Sequence, residues 1–215
     1  MRQFNVLTNE IKAAMLFAST DESRYVLNGV LFQALAGKQP ILISTDGRRL
    51  AVIETDAEQP ASDGESVEVV IASSFLKPLC AFAKSQALIV SIEPHPPRRC
   101  VFNMFGAHCV VDSEEGALIE GQYPNWKQVV PAGEKNPVSQ MALNSDYIGD
   151  YSKAGKLLGL DFTLVALNIF NASGAMEVRL GGKPNFYGVV MPCIVDQPKD
   201  FQPEFLGLEK DKAKI

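Results

Sequence analysis

The sequence predicts an α+β fold of antiparallel sheets with helices on one face, because a βαβββ pattern recurs three times along its 215 residues. Two observations carry this reading. In each repeat an extended apolar run meets a Ser, Thr or Asn whose oxygen can accept from the first free N–H groups of a helix. Each helical stretch then gives way to several short runs rich in Val, Ile, Leu and Phe, the signature of strands.

The first repeat is the extended run 4–7, Thr8 as N-cap, a helix over 11–18, and strands over 25–27, 29–35 and 41–53. The second is 67–71, Ser73 or Ser74 as N-cap, a helix over 75–83, and strands over 87–92, 100–105 and 108–112. Pro78 is tolerable in that helix near its first turn, where a missing N–H costs least. The third is 138–143, Asn144 as N-cap, a helix over 147–158, and strands over 162–170, 176–180 and 186–191. Two such units pack naturally as one domain with both helices on one face, here residues 1–121. Residues 122–137, rich in Gly, Pro and Asn, read as a connector. Residues 138–195 are then half of a second domain, and 196–215 a flexible tail.

Composition narrows the function classes. Hydrophobic residues make up 47% and charged residues 21%, the balance of an ordinary globule. No apolar run reaches the roughly 18 residues that span a bilayer, and the N-terminus lacks a secretory apolar stretch, so a cytoplasmic protein is expected. Cys80, Cys100, Cys109 and Cys193 are widely spaced and read as reduced thiols. A formal charge of −5 argues mildly against nucleic acid, while leaving room for a local basic face. Only His95 and His108 are present, no Cys/His spacing suits a metal, and no cofactor is expected. Residues 149–156 have the wrong glycine spacing for a P-loop, with Leu157 at its Ser/Thr position, and no G-x-S-x-G elbow occurs. An enzyme is not expected.

Four ordered motifs then carry a family resemblance. They are Arg24-Tyr25-Val26-Leu27-Asn28-Gly29-Val30-Leu31-Phe32; Ser44-Thr45-Asp46-Gly47-Arg48-Arg49-Leu50-Ala51; Gln122-Tyr123-Pro124-Asn125-Trp126-Lys127-Gln128-Val129-Val130-Pro131; and Tyr187-Gly188-Val189-Val190-Met191-Pro192. Together they resemble the bacterial DNA polymerase III beta subunit, the sliding clamp, over about residues 3–195. The chain departs from that pattern in having about one and a half clamp domains, Arg48 where the family has His, and a polar extension after Val195.

The resemblance implies a DNA clamp fold and a processivity factor, not a catalyst, that tethers DNA polymerase and other replication and repair proteins to duplex DNA. The positions matching the family's apolar peptide groove are Leu27, Thr45, Gly47, Arg49, Leu50, Pro124, Val129, Val189, Val190, Met191 and Pro192. Those implied to face DNA, without sequence preference, are Lys12, Lys77, Lys84, Lys153 and Lys156 on helices and Arg24 and Tyr25 in a loop. On residue type alone the lysines read as the solvated faces of amphipathic helices and the apolar positions as ordinary core, and only the resemblance turns both towards a site. Relatives close rings of twelve units, so three per chain implies a homo-oligomer, a dimer or a tetrameric ring. The other reading is a module that recruits or titrates clamp-binding proteins without encircling DNA. The tail residues 202–208 carry a faint likeness to the Gln-plus-apolar peptides that clamps bind.

Overall fold

The first two units each begin with a strand that runs straight into a helix, whereas residues 141–144 before the third helix form only a single bridge, Ala142 to Cys193. The computed structural model describes residues 2–58, 66–84, 86–93, 99–104, 107–112, 117–135, 141–171 and 173–193. The first unit comprises β1 (Arg2–Leu7), α1 (Thr8–Met15), β2 (Gly29–Ala34), β3 (Ile41–Thr45) and β4 (Arg49–Glu54). The second comprises β5 (Val67–Ala72), α2 (Ser73–Ala83), β6 (Ala87–Ile92), β7 (Arg99–Met104) and β8 (Ala107–Asp112), followed by the short β9 (Leu118–Ile119). The third comprises α3 (Ser145–Leu157), β10 (Val165–Asn168), β11 (Met176–Leu180) and β12 (Phe186–Val190). Residues 138–140 of the expected third opening strand, His95 and the tail 202–208 lie outside the described residues.

Local chemistry corrects several boundaries. Asn144 caps α3 as expected, its Oδ1 accepting from the Asp146 N–H at 2.9 Å. Thr8 does not cap α1. It is the first helical residue, and its hydroxyl donates to the Lys84 carbonyl at 2.6 Å, while Glu10 reaches back to accept from the Leu7 N–H at 2.8 Å. In α2 the cap position is Ala72 and the helix starts at Ser73, which puts Pro78 deeper than the first turn. Residues 25–27 are not a strand but the end of a 3-10 turn, Glu22–Leu27, opened by Asp21 accepting from the Ser23 N–H at 3.0 Å. The long run 41–53 breaks into β3 and β4 at a turn through Asp46, Gly47 and Arg48.

Strand exchange ties the units together. β1 of the first unit pairs with β6 of the second, and β5 of the second pairs with β2 of the first. The result is a four-stranded sheet, β1-β6-β7-β8, and an eight-stranded sheet, β10-β11-β12-β4-β3-β2-β5-β9. The third unit joins the first through the antiparallel pairing of β12 with β4, from Phe186 opposite Ile53 to Val190 opposite Arg49.

Period-two alternation sorts the long sheet into two faces. Val30, Phe32, Leu42, Ala51, Ile53, Phe186 and Val190 point to the core beneath the helices. Leu31, Ile43, Leu50, Val52, Val70 and Val189 point the other way, where Tyr123 and Trp126 of the connector cover them. The connector is therefore fastened to the outer face, through a 3-10 turn at Trp126–Val129.

Tyr151 of α3 sits over the β4–β12 junction, fully buried. Its ring lies 4.8 Å from Phe17 and 6.0 Å from Phe186, and its hydroxyl contacts the carbonyls of Val189 at 2.7 Å and Leu50 at 3.2 Å. Gly188 leaves room for it, since a Cβ there would stand 2.6 Å from Tyr151 Cε1. Gly188→Ala is thus expected to destabilise the protein by about 1–3 kcal/mol, read as a lowered denaturation midpoint, through overpacking of the junction.

Candidate functional site

The site grows from the β3–β4 turn. Asp46 Oδ1 accepts from the Arg48 and Arg49 N–H groups at 2.8 and 3.0 Å, and Thr45 Oγ1 accepts from the Gly47 N–H at 3.0 Å while donating to the Arg49 carbonyl at 2.7 Å. Gly47 adopts φ +86°, a conformation that side chains disfavour, and a Cβ there would stand 2.8 Å from Arg24 Nη1. These bonds fix the turn at the rim of a cavity of about 140 Å³.

The lining comes from chain segments far apart in sequence. The 3-10 turn Glu22–Leu27 supplies Leu27, the β3–β4 turn and its flanks Thr45, Gly47, Arg48, Arg49 and Leu50, the connector Pro124, Asn125, Trp126 and Val129, and the last strand and the residue after it Val189 and Met191. The structure thus brings together most of the expected lining set, with two exceptions. Val190 is fully buried on the helix side of β12, because its neighbour Val189 takes the outward position. Pro192 lies beyond the cavity wall. Arg48, Asn125 and Trp126 were not foreseen. Trp126, the single tryptophan of the chain, carried a visible signal in its place between Pro124 and Val129. Val129 and Met191 remain 47% and 38% exposed, leaving apolar surface open at the mouth.

Arg49 has a second role, since its charge is committed to the junction beneath the cavity. Its Nε donates to Asp46 Oδ2 at 3.1 Å, its Nη1 pairs with Asp150 of α3, and its Nη2 donates to the Leu16 carbonyl at 3.0 Å. The guanidinium carbon lies 4.7 Å from the Tyr147 ring centre and 5.3 Å from that of Phe17. Burial works against ionisation of Asp150, but bonds from Lys153 and Arg49 outweigh it and hold the carboxyl below its usual range. Burial pushes the hydroxyls of Tyr123 and Tyr151 well above the usual phenol range. It also raises Tyr187, on the outer face, to about 12.

The helices form the opposite face, where α1 contacts both α2 and α3. Lys77, Lys84, Lys153 and Lys156 are exposed there, while Lys12 is half-buried and donates to the Lys84 carbonyl at 3.0 Å. Lys153 pairs with Asp150 at 2.7 Å. Arg24 donates to the Asp46 carbonyl at 3.2 Å, beside Tyr25, which is 59% exposed. Among the described residues no group of three His, Cys, Asp or Glu could hold a metal ion. No helix among them is long and apolar enough to cross a membrane.

Strand-exchanged units with helices on one face and a lined cavity at the junction define a clamp-type protein. Residues 3–125 match the family description "DNA polymerase III beta subunit, central domain", and the chain belongs to that family. It is 33% identical over 127 residues to the beta sliding clamp of Treponema pallidum and 32% over 120 residues to that of Borreliella burgdorferi. Those alignments cover 58% and 55% of this chain but 31% and 28% of the relatives, so the chain aligns with about a third of their length. Among solved structures, the DNA polymerase III beta chain of Streptococcus pneumoniae superposes with a TM-score of 0.68 at 16% identity, covering 91% of this chain and 65% of that one. The beta subunit of Pseudomonas aeruginosa gives 0.66 at 17%, covering 91% and 67%. At such identities the likeness establishes the fold.

The junction makes a pH prediction. A carboxyl depressed in the folded state contributes stability above its unfolded pKa of about 3.9, and that contribution is lost as pH falls through the lower folded value. Asp150→Asn should therefore lower the melting temperature at neutral pH and flatten the wild-type loss of stability below about pH 4 in pH-stepped thermal denaturation.

Proposed function

We propose that the chain is a non-catalytic sliding clamp-like processivity factor whose cavity captures a short apolar peptide segment of DNA polymerase and other replication or repair proteins. The observation that carries the reading is the cavity itself. The turn, the connector and the β12 end meet in one apolar concavity, with exposed Val129 and Met191 at its mouth and Thr45, Arg48 and Asn125 supplying polar groups. The unbranched Met191 can repack around different side chains. A fluorescently labelled peptide carrying a Gln followed by apolar residues should bind saturably in an anisotropy titration. Val129→Glu or Met191→Glu, both at exposed positions, should weaken it about tenfold or more, since each removes a buried apolar contact worth about 1.5–3 kcal/mol. Unchanged affinity in both variants would contradict the assignment.

The lysine-bearing helix face supports sequence-independent attraction to duplex DNA, with each ammonium near a phosphate and the interaction weakening with salt. Encirclement requires more units than one chain supplies, so four chains would complete a twelve-unit ring. A second reading is favoured by the net charge of −5 and by the open edge of β10 among the described residues: a module that recruits clamp-binding proteins without encircling DNA. Topology separates the two. A clamp is expected to stay on closed circular DNA through a sizing column and to be lost when the circle is linearised. Equal loss from both forms supports the module.

A further inference from the structure

The first two units of this chain show how a unit completes itself, and among the described residues the third leaves open the same two edges that they fill for one another. β5 is flanked on one edge by β9, which follows the last strand of its own unit, and on the other by β2 of the neighbouring unit. In the third unit Ala142 is bridged on one edge by Cys193, which likewise follows the last strand of its own unit, the Cys193 N–H donating to the Ala142 carbonyl at 2.9 Å. Its other edge has no partner strand among the described residues. Likewise β2 and β6 each receive the opening strand of the neighbouring unit, whereas among the described residues β10 pairs with β11 alone.

The open edge carries a definite set of backbone groups. The Gly181 N–H donates to the Leu164 carbonyl at 2.9 Å, and Val165 opposes Leu180. Because hydrogen-bonded pairs alternate in an antiparallel ladder, Ala166 and Asn168 face β11, while Val165 and Leu167 turn their N–H and C=O groups outward. Leu164 and Phe162 beside this edge are 60% and 75% exposed. Such an edge is a template for pairing with another strand.

The helix repeats the pattern. Where α1 meets α2, Thr8 and Lys12 face the Lys84 carbonyl. Counting from the helix starts, the corresponding residues of α3 are Ser145 and Gly149, and a Cβ on Gly149 would meet nothing within 4 Å. This side lies opposite Tyr147, Asp150 and Tyr151, which are engaged with the first unit. In an antiparallel meeting of two α3 helices, exposed Asp146 in the first turn of one stands level with exposed Lys156 in the last turn of the other.

We propose that two copies of this chain pair isologously through their third units, each laying residues 141–143 along β10 of the other while the two α3 helices pack antiparallel. The occupant is a second copy because each third unit offers both halves of the exchange that units one and two already perform, and a two-fold axis satisfies both at once. The pairing does not depend on what the cavity binds.

Light scattering coupled to size exclusion is expected to give twice the 23.4 kDa chain mass at micromolar concentration. Leu164→Glu and Gly149→Glu change positions that are exposed or unobstructed in the single chain, so both variants should keep wild-type circular dichroism and peptide affinity yet run at one chain mass. In amide exchange by NMR, Val165 and Leu167 should be protected in the wild type, lose protection on dilution in step with the dimer, and be unprotected in both variants. A wild type of single-chain mass overturns the proposal, as does a dimer that survives both substitutions. Protection of Val165 and Leu167 in a monomer also overturns it, because another segment of the same chain would then cover the edge.

Discussion

The pairing of β12 with β4 is the interaction on which the rest of the molecule depends. It makes one sheet of strands from the first and third units, and so brings Val189 and Met191 beside the β3–β4 turn to close the cavity. Two side chains enforce it from the helix side. Tyr151 places a hydroxyl against carbonyls of both strands, and Arg49 links β4 to α3 through Asp150. The space for Tyr151 exists only because residue 188 is glycine. A buried, hydrogen-bonded ring and a planar five-donor cation fix geometry better than a generic apolar contact, since each loses a specific partner if the strands slip.

The same sheet separates two surfaces. Alternation sends Val189 outward to the cavity and Val190 inward beneath the helices, so adjacent residues serve opposite faces. The connector then covers the outer face with Tyr123 and Trp126 instead of crossing open solvent. It thereby supplies one cavity wall, through Pro124, Asn125, Trp126 and Val129. Exposed Lys77, Lys84, Lys153 and Lys156 lie on the helix side, so the apolar cavity and these basic side chains occupy different surfaces of a chain that is acidic as a whole.

Much of this was legible in the sequence. The three-fold recurrence of extended run and helix gave the units, since apolar runs and polar cap residues are local signals. Asn144 capped as expected because its short side chain reaches the second helical N–H. Thr8 did not, because a long-range partner, the Lys84 carbonyl, claimed its hydroxyl, and no local rule reports that partner. The turn that divides residues 41–53 was marked by Asp46-Gly47, but the Val- and Ile-rich flanks hid it within a longer run. Most cavity residues were legible only through the family motifs, because they converge from four separated segments. Val190 fell on the helix side instead of in the cavity, since which residue of a strand faces outward depends on register, and register is a property of the pairing with β4.

Trp126 offers the most direct measurement, because the only tryptophan of the chain lies in the cavity wall. Adding a tryptophan-free peptide with a Gln followed by apolar residues should produce a saturable blue shift of its fluorescence, as ring-bearing surface at the mouth is removed from water. The shift should be lost in Met191→Glu. A peptide that binds by anisotropy without altering Trp126 emission would place the binding site elsewhere and contradict the cavity as the docking surface.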